Sequence, residues 1–279
     1  MAADIRPQKR LNITTKEHNH PYKKLSIQVR LNGLSFFVLD TIANTVILRD
    51  GQNFKEEQTP YAVLKALKSL FQKHQLTAVS FEDITVIHSN PMFALVPEPF
   101  FDKNELPNYL KFNTKLLAND QIVHDALPNH DMVCVYVPFT NINNYIFDCF
   151  GSFDFKHGSF LTLQTLFAQS NNGLVCYAYV DHHHLELVVL EQKKLLLYNQ
   201  FQFHSEEDFL YYVLFTYEQL GLSTETVDLK LFGIVEEGDS LFKRCSEYFK
   251  NVRVFLPKSD SHFFYGSTGS DFDLTILNN

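Results

Sequence analysis

Tryptophan is absent and cysteine is scarce: 279 residues carry four cysteines, Cys134, Cys149, Cys176 and Cys245, with no CxxC and no close pair. That spacing excludes a zinc ribbon and a disulfide framework, and it suits small, buried, reduced thiols. No run approaches the roughly 18 apolar residues that span a bilayer. Met1 to Tyr22 holds Arg6, Lys9, Arg10 and Lys16 without the apolar core of a signal peptide. A cytoplasmic location without membrane insertion is the expectation. Positive charge is also short, since 24 basic residues against 32 acidic ones leave a net charge of -8. A chain of that sign repels polyanions, so nucleic acid is not the expected partner. Missing too are a Gly-x-Ser-x-Gly elbow and the Lys-Ser/Thr ending of a phosphate loop. The run Gly266-Ser267-Thr268-Gly269-Ser270 matches such a loop in composition only. No residue is assigned a catalytic role.

What is present is apolar and aromatic, with 45% hydrophobic residues, 27 Phe and 13 Tyr. That is enough for two domains, each with its own core. After an irregular leader over residues 1–21, Leu25, Ile27, Val29 and Leu31 alternate with polar residues, Asn32-Gly33 follows, and Leu34 to Leu39 is apolar again. This predicts a hairpin on a type I′ turn, in which Asn and Gly take positive φ. A third strand is expected over Thr45 to Arg49. Thr59-Pro60 is an N-cap followed by a first helical position, and Val63, Leu64, Leu67, Leu70 and Phe71 carry helical spacing. Ile84 to His88 alternates as a strand.

Residues 90–130 read as an insertion, with Gln121 to Leu127 pairing with Met92 to Val96 and a short helix within Lys103 to Phe112. Met132 to Val137 is a continuous apolar run, the pattern of a strand in a sheet centre. A helix to Phe150, a strand over Phe153 to Lys156 and a helix over Ser159 to Gln169 follow. The order then repeats. Leu174 to Val180 and Leu185 to Leu190 form a hairpin around Asp181 to His184, and Lys194 to Phe203 is the third strand. Ser205 caps a helix over Glu206 to Leu220 with an acidic first turn. A strand over Val227 to Phe232, a helix over Ser240 to Phe249 and a strand over Val252 to Leu256 complete it.

Three strands, helix, strand, helix, strand is the order of the ribonuclease H-like unit, and two in tandem resemble the actin, sugar kinase and Hsp70 superfamily of ATPases. Leu95-Val96-Pro97-Glu98 with Phe100-Phe101-Asp102, and the block Leu197 to Leu214, resemble the bacterial domain-of-unknown-function family 3822. The implied class is α/β, with duplicated ribonuclease H-like units (βββαβαβ) in an actin-like ATPase fold of two lobes and a cleft. Residues 22–157 would form the first lobe, carrying the insertion, and residues 158–279 the second.

The superfamily binds nucleotide phosphates on two strand-turn-strand loops, where Asp holds a metal-bound water and glycines let backbone amides approach. The resemblance places Asn32 and Gly33 at the first loop, Asp181 at the second, and Gly233 at an adenosine-contacting turn. All three loops depart from the pattern. The first turn has one Gly and no Asp, the second offers His182-His183-His184, and Gly233 is followed by Ile234 and then Glu236 and Glu237. A nuclease fares worse, because the first strand of each repeat carries no carboxylate.

Three functions follow in order of support. First is a binding or scaffolding module for another protein, with no cofactor. Second is an ATPase using Asn32, Gly33, Asp181 and Gly233 to hold ATP and Mg. Third is a metal-dependent hydrolase on His182, His184 and Glu186, which strand alternation would put on one face. Phe209, Tyr212, Phe215 and Tyr217 exceed what one helix face needs, and read either as core with scattered exposed rings or as a protein-binding patch.

Overall fold

A computed structural model describes residues 22–112, 114–127, 129–169 and 173–256. The leader over 1–21, the run Gly266 to Ser270 and the rest of the C-terminal tail lie outside the described residues.

Two five-stranded sheets repeat one topology. The first runs β3-β2-β1-β4-β8 and the second β11-β10-β9-β12-β13. In the first, β1 (Lys23–Arg30), β2 (Gly33–Asp40) and β3 (Thr45–Asn53) form an antiparallel meander, and β4 (Asp83–Ser89) adds parallel to β1. The connection to β4 is helix α1 (Pro60–His74), whose cap is the one expected: Thr59 Oγ1 accepts from the Ala62 N–H at 3.3 Å. Later in the chain come β5 (Phe93–Pro97), α2 (Leu106–Leu110), β6 (Val123–Leu127) and β7 (Met132–Tyr136), then α3 (Thr140–Phe150), β8 (Asp154–His157) and α4 (Gly158–Ala168). The second repeat is β9 (Leu174–Asp181), β10 (His184–Glu191), β11 (Lys194–Gln202), α5 (Glu206–Gln219), β12 (Asp228–Gly233), α6 (Ser240–Tyr248) and β13 (Val252–Val254). The duplicated α/β order read from the sequence is the order observed.

Each sheet buries an apolar face under helices, as period-two strands and period-3.6 helices require. Leu25, Ile27, Val29 and Phe36 meet Val63, Leu67 and Phe71 of α1 and Ile142 and Ile146 of α3. In the second repeat, Cys176, Ala178, Leu185, Leu187 and Leu231 meet Phe209, Val213 and Tyr217 of α5 and Cys245 of α6. Helix α4 is buried nearly all round, from Phe160 to Phe167, which explains its lack of a polar stripe.

Three local expectations are corrected. The first hairpin does not turn on Asn32-Gly33. Arg30 pairs with Gly33, so the loop is Leu31-Asn32, and neither residue takes positive φ. Gly33 is glycine for space, because a Cβ there would sit 2.8 Å from Asn53 Oδ1 and 3.0 Å from the Gln52 carbonyl. The strand Thr45 to Arg49 runs on to Asn53, with Gly51 opposite Ser35. In the insertion, Val123–Leu127 does not pair with Phe93–Pro97. Both pair with Met132–Tyr136, which is the middle strand of a separate three-stranded antiparallel sheet, β5-β7-β6.

The described residues fall into two compact units, one drawn from Met1–Asn90 with Pro138–Lys156, the other from Pro91–Val137 with His157–Asn279. The insertion, placed in the first lobe by sequence order, therefore groups with the second repeat. The reason is side-chain packing: Phe93 stacks on His157 at 4.6 Å and meets Tyr198 edge-on at 5.6 Å, and Cys134 Sγ lies 3.6 Å from Ser159 Oγ.

In the first unit, β3 is tied to the end of α1 by one oxygen. Asp50 Oδ2 accepts from Lys73 Nζ and from His74 Nε2, each at 2.6 Å. Burial pushes the Asp50 carboxyl up, but the hydrogen bonds from Lys73 and His74 outweigh it and hold it below the ordinary carboxylate range. A depressed folded-state value contributes stability above the unfolded value of about 3.9 and loses it as pH falls through the folded one. Asp50→Asn is expected to cost on the order of 1 kcal/mol at pH 7. Urea melts at neutral pH and at pH 3 check this: the deficit must shrink on acidification.

Candidate functional site

The second hairpin turns on His182-His183, with Asp181 paired to His184. His182 takes φ 47°, a left-handed conformation uncommon for a residue with a Cβ. His183 is anchored: its backbone carbonyl accepts from the Phe203 N–H at 2.9 Å, and its Nδ1 lies 3.2 Å from the Phe203 carbonyl. The turn thus presents imidazoles where a phosphate would need glycine amides. At the first turn the carbonyls of Leu31 and Asn32 accept from the N–H groups of Gln58 and Phe54, both at 2.8 Å.

Gly233 ends β12 beside Val180 of β9, at φ 104°. A Cβ there would lie 2.1 Å from the Val180 carbonyl oxygen, which also accepts from the Ile234 N–H at 2.9 Å. This glycine is needed for strand-to-strand approach. Asp181 follows Val180 and is buried at 4% exposure, so Asp181 and Gly233 are brought together at neighbouring strand ends. Asn32 and Gly33 belong to the other unit. Glu236 and Glu237 are exposed in the loop after β12.

The expected face of His182, His184 and Glu186 does not form, because His182 lies in the loop. His184 and Glu186 do meet, with Nε2 3.4 Å from Oε1. Among the described residues no three His, Cys, Asp or Glu side chains converge as a metal site. Glu186 is instead the centre of a buried polar network at 2% exposure. Its Oε2 accepts from Tyr198 Oη at 2.6 Å and from Thr162 Oγ1 of α4 at 3.3 Å, and its Oε1 accepts from Gln200 Nε2 at 3.2 Å. Burial pushes the carboxyl up, yet His184, the Tyr198 hydroxyl and the field of His157 outweigh it and keep it below the ordinary range. The same burial, with the Glu186 charge beside it, pushes the Tyr198 phenol well up. A carboxylate held as the anion thus stands two residues beyond His184.

Set against proteins of known sequence, residues 12–252 match the model of a family described as "Protein of unknown function (DUF3822)". The chain belongs to that family. Among curated proteins none matches it. Among solved structures it is similar to a Bacteroides thetaiotaomicron protein "with actin-like ATPase fold and unknown function", at TM-score 0.70 and 19% identity, over 84% of this chain and 91% of that one. It is also similar to the PilM-PilN type IV pilus biogenesis complex, at TM-score 0.55 and 12% identity, over 91% of this chain and 96% of that one. Likeness at these identities shows the fold alone. The DUF3822 chain therefore has the actin-like ATPase fold anticipated from its repeat.

Two arrangements in this family member were not foreseen from its sequence. His157 and Ser159 form a contact of 2.7 Å between Nδ1 and Oγ, and both are fully buried. Nδ1 also accepts from the Ser159 N–H at 3.2 Å, so the pair caps α4. The four cysteines are free, and burial pushes the thiols of Cys176 and Cys245 up to about 12, far from a nucleophile's value. On α5, Phe209 and Tyr217 are core and Tyr212 stacks on Phe201 at 4.4 Å. The exposed rings are Tyr211 and Phe215.

Proposed function

We propose that this chain is an actin-like protein-binding module that does not hydrolyse nucleotide. The observation carrying this is the second turn: an imidazole pair replaces the glycines, with the ionised, buried Glu186 behind it. At the third position Gly233 is accounted for by its approach to Val180. A protein partner has a precedent in this fold, since the PilM-PilN neighbour is solved as a complex. Among the described residues no helix is long and apolar enough to cross a membrane. On this proposal the protein is cytoplasmic, with neither nucleic acid nor metal as its ligand.

The test is thermal melting with ATP and Mg²⁺. A ligand at about 100 times its Kd would add about 2.7 kcal/mol, readily seen as a raised Tm. The expected result is no shift. A shift that Asp181→Asn removes while leaving the nucleotide-free melt intact would favour the nucleotide-binding reading, and phosphate release from ATP would then establish an ATPase.

A further inference from the structure

On α5 the helical period sends Phe209, Val213, Thr216 and Tyr217 inward and leaves Glu207, Tyr211, Phe215 and Glu218 as one exposed stripe. Tyr211 is 60% exposed and Phe215 42%. Their rings stack at 5.8 Å with planes 18° apart, so they present a single rigid apolar ledge with little side-chain entropy left to lose on contact. Both ends of the ledge are acidic. Glu207 stands before the rings and Glu218 after them on the same stripe, and Ser240 of α6, hydrogen-bonded to Glu206, sets the exposed Asp239 by the start of α5. Arg244 lies between Glu207 and Glu247, at 3.1 and 3.3 Å, so its charge is already balanced.

We propose that this stripe docks an amphipathic segment of another protein, with an apolar centre and Lys or Arg at its ends, an inference that rests on the protein-binding reading above. Charge complementarity selects this occupant. A second copy would bring acidic ends against acidic ends, and a nucleic acid or anionic lipid would meet the same repulsion.

The experiment is fluorescence anisotropy of the full chain with two labelled synthetic peptides sharing a Leu/Phe centre, one ended in Lys pairs and one in Glu pairs. The Lys-ended peptide is expected to bind about tenfold or more tightly than the Glu-ended one, and to weaken as salt rises. The double variant Tyr211→Ser/Phe215→Ser should lose about tenfold or more of that binding, while Tyr211→Phe/Phe215→Tyr retains it. Both positions are exposed, so the melts should match the parent. Equal binding of the two peptides, no saturable binding, or binding unchanged in the serine variant overturns the proposal. So does a parent dimer in sedimentation that the serine variant loses, which would assign the stripe to self-association. ATP with Mg²⁺ in the same samples separates the two readings: nucleotide stabilisation counts against the proposed function, whereas the peptides alone decide the stripe.

Discussion

Gly233→Ala is expected to destabilise the second unit by on the order of 4 kcal/mol or more, among the largest effects of a single methyl group. The added Cβ would meet the Val180 carbonyl oxygen at 2.1 Å and Tyr179 Cε2 at 3.0 Å, on a backbone at φ 104°. The tyrosine ring can shift. The carbonyl cannot, because β9 is paired on both sides, to β10 and to β12. Relief would require parting β12 from β9 at the bond from the Ile234 N–H to Val180, beside a core that holds Val180, Leu231 and Val235. Gly221→Ala is the control, since Gly221 also has positive φ, at 64°, but nothing within 4 Å of its added Cβ. It should cost only about 1 kcal/mol, the backbone component alone. Melting followed by circular dichroism decides the matter. Equal losses in the two variants would show that close approach is not what glycine serves at position 233.

Glu186→Leu is the second large effect, on the order of 4 kcal/mol at pH 7. Leucine suits an apolar strand, but it would leave the hydroxyls of Tyr198 and Thr162 without the acceptor that Glu186 supplies, and Gln200 Nε2 with Tyr198 Oη alone, at 3.3 Å. Glu186→Gln keeps the shape and loses the charge, so it should cost less. The sign of its pH dependence follows from the depressed folded-state value. The charged form contributes stability above the unfolded value of about 4.3 and loses it as pH falls through the folded one. The deficit of Glu186→Gln against the parent is therefore expected above the unfolded value and should close as pH falls through the lower folded one. A deficit that persisted unchanged well below the unfolded carboxylate range would count against a depressed folded-state value.

Much of the architecture was legible in local pattern. Alternation located β1 and β4, Thr59-Pro60 marked the start of α1, and Ser205 with the acidic turn after it marked α5, where Ser205 and Asp208 form a capping box. Pairing in the insertion was less legible. Val123–Leu127, Phe93–Pro97 and Met132–Tyr136 are all short and apolar, and their periodicity does not say which strand lies between the others. The candidate site was legible as a set of residues and illegible as geometry. Glu186, a lone charge among Leu185, Leu187, Val188 and Val189, was a visible irregularity, yet its donors lie on α4 and β11.

The sequence by itself determined the duplicated order of strands and helices, because strand period, helix period and capping act between residues a few positions apart. It also determined the absence of a glycine-rich run at either hairpin. Only the tertiary structure decided that Gly33 answers to Asn53 and Gly233 to Val180, that Glu186 is an enclosed anion, and that Tyr211 and Phe215 remain outside the core. Desolvation and close approach depend on residues that the chain separates and the fold joins.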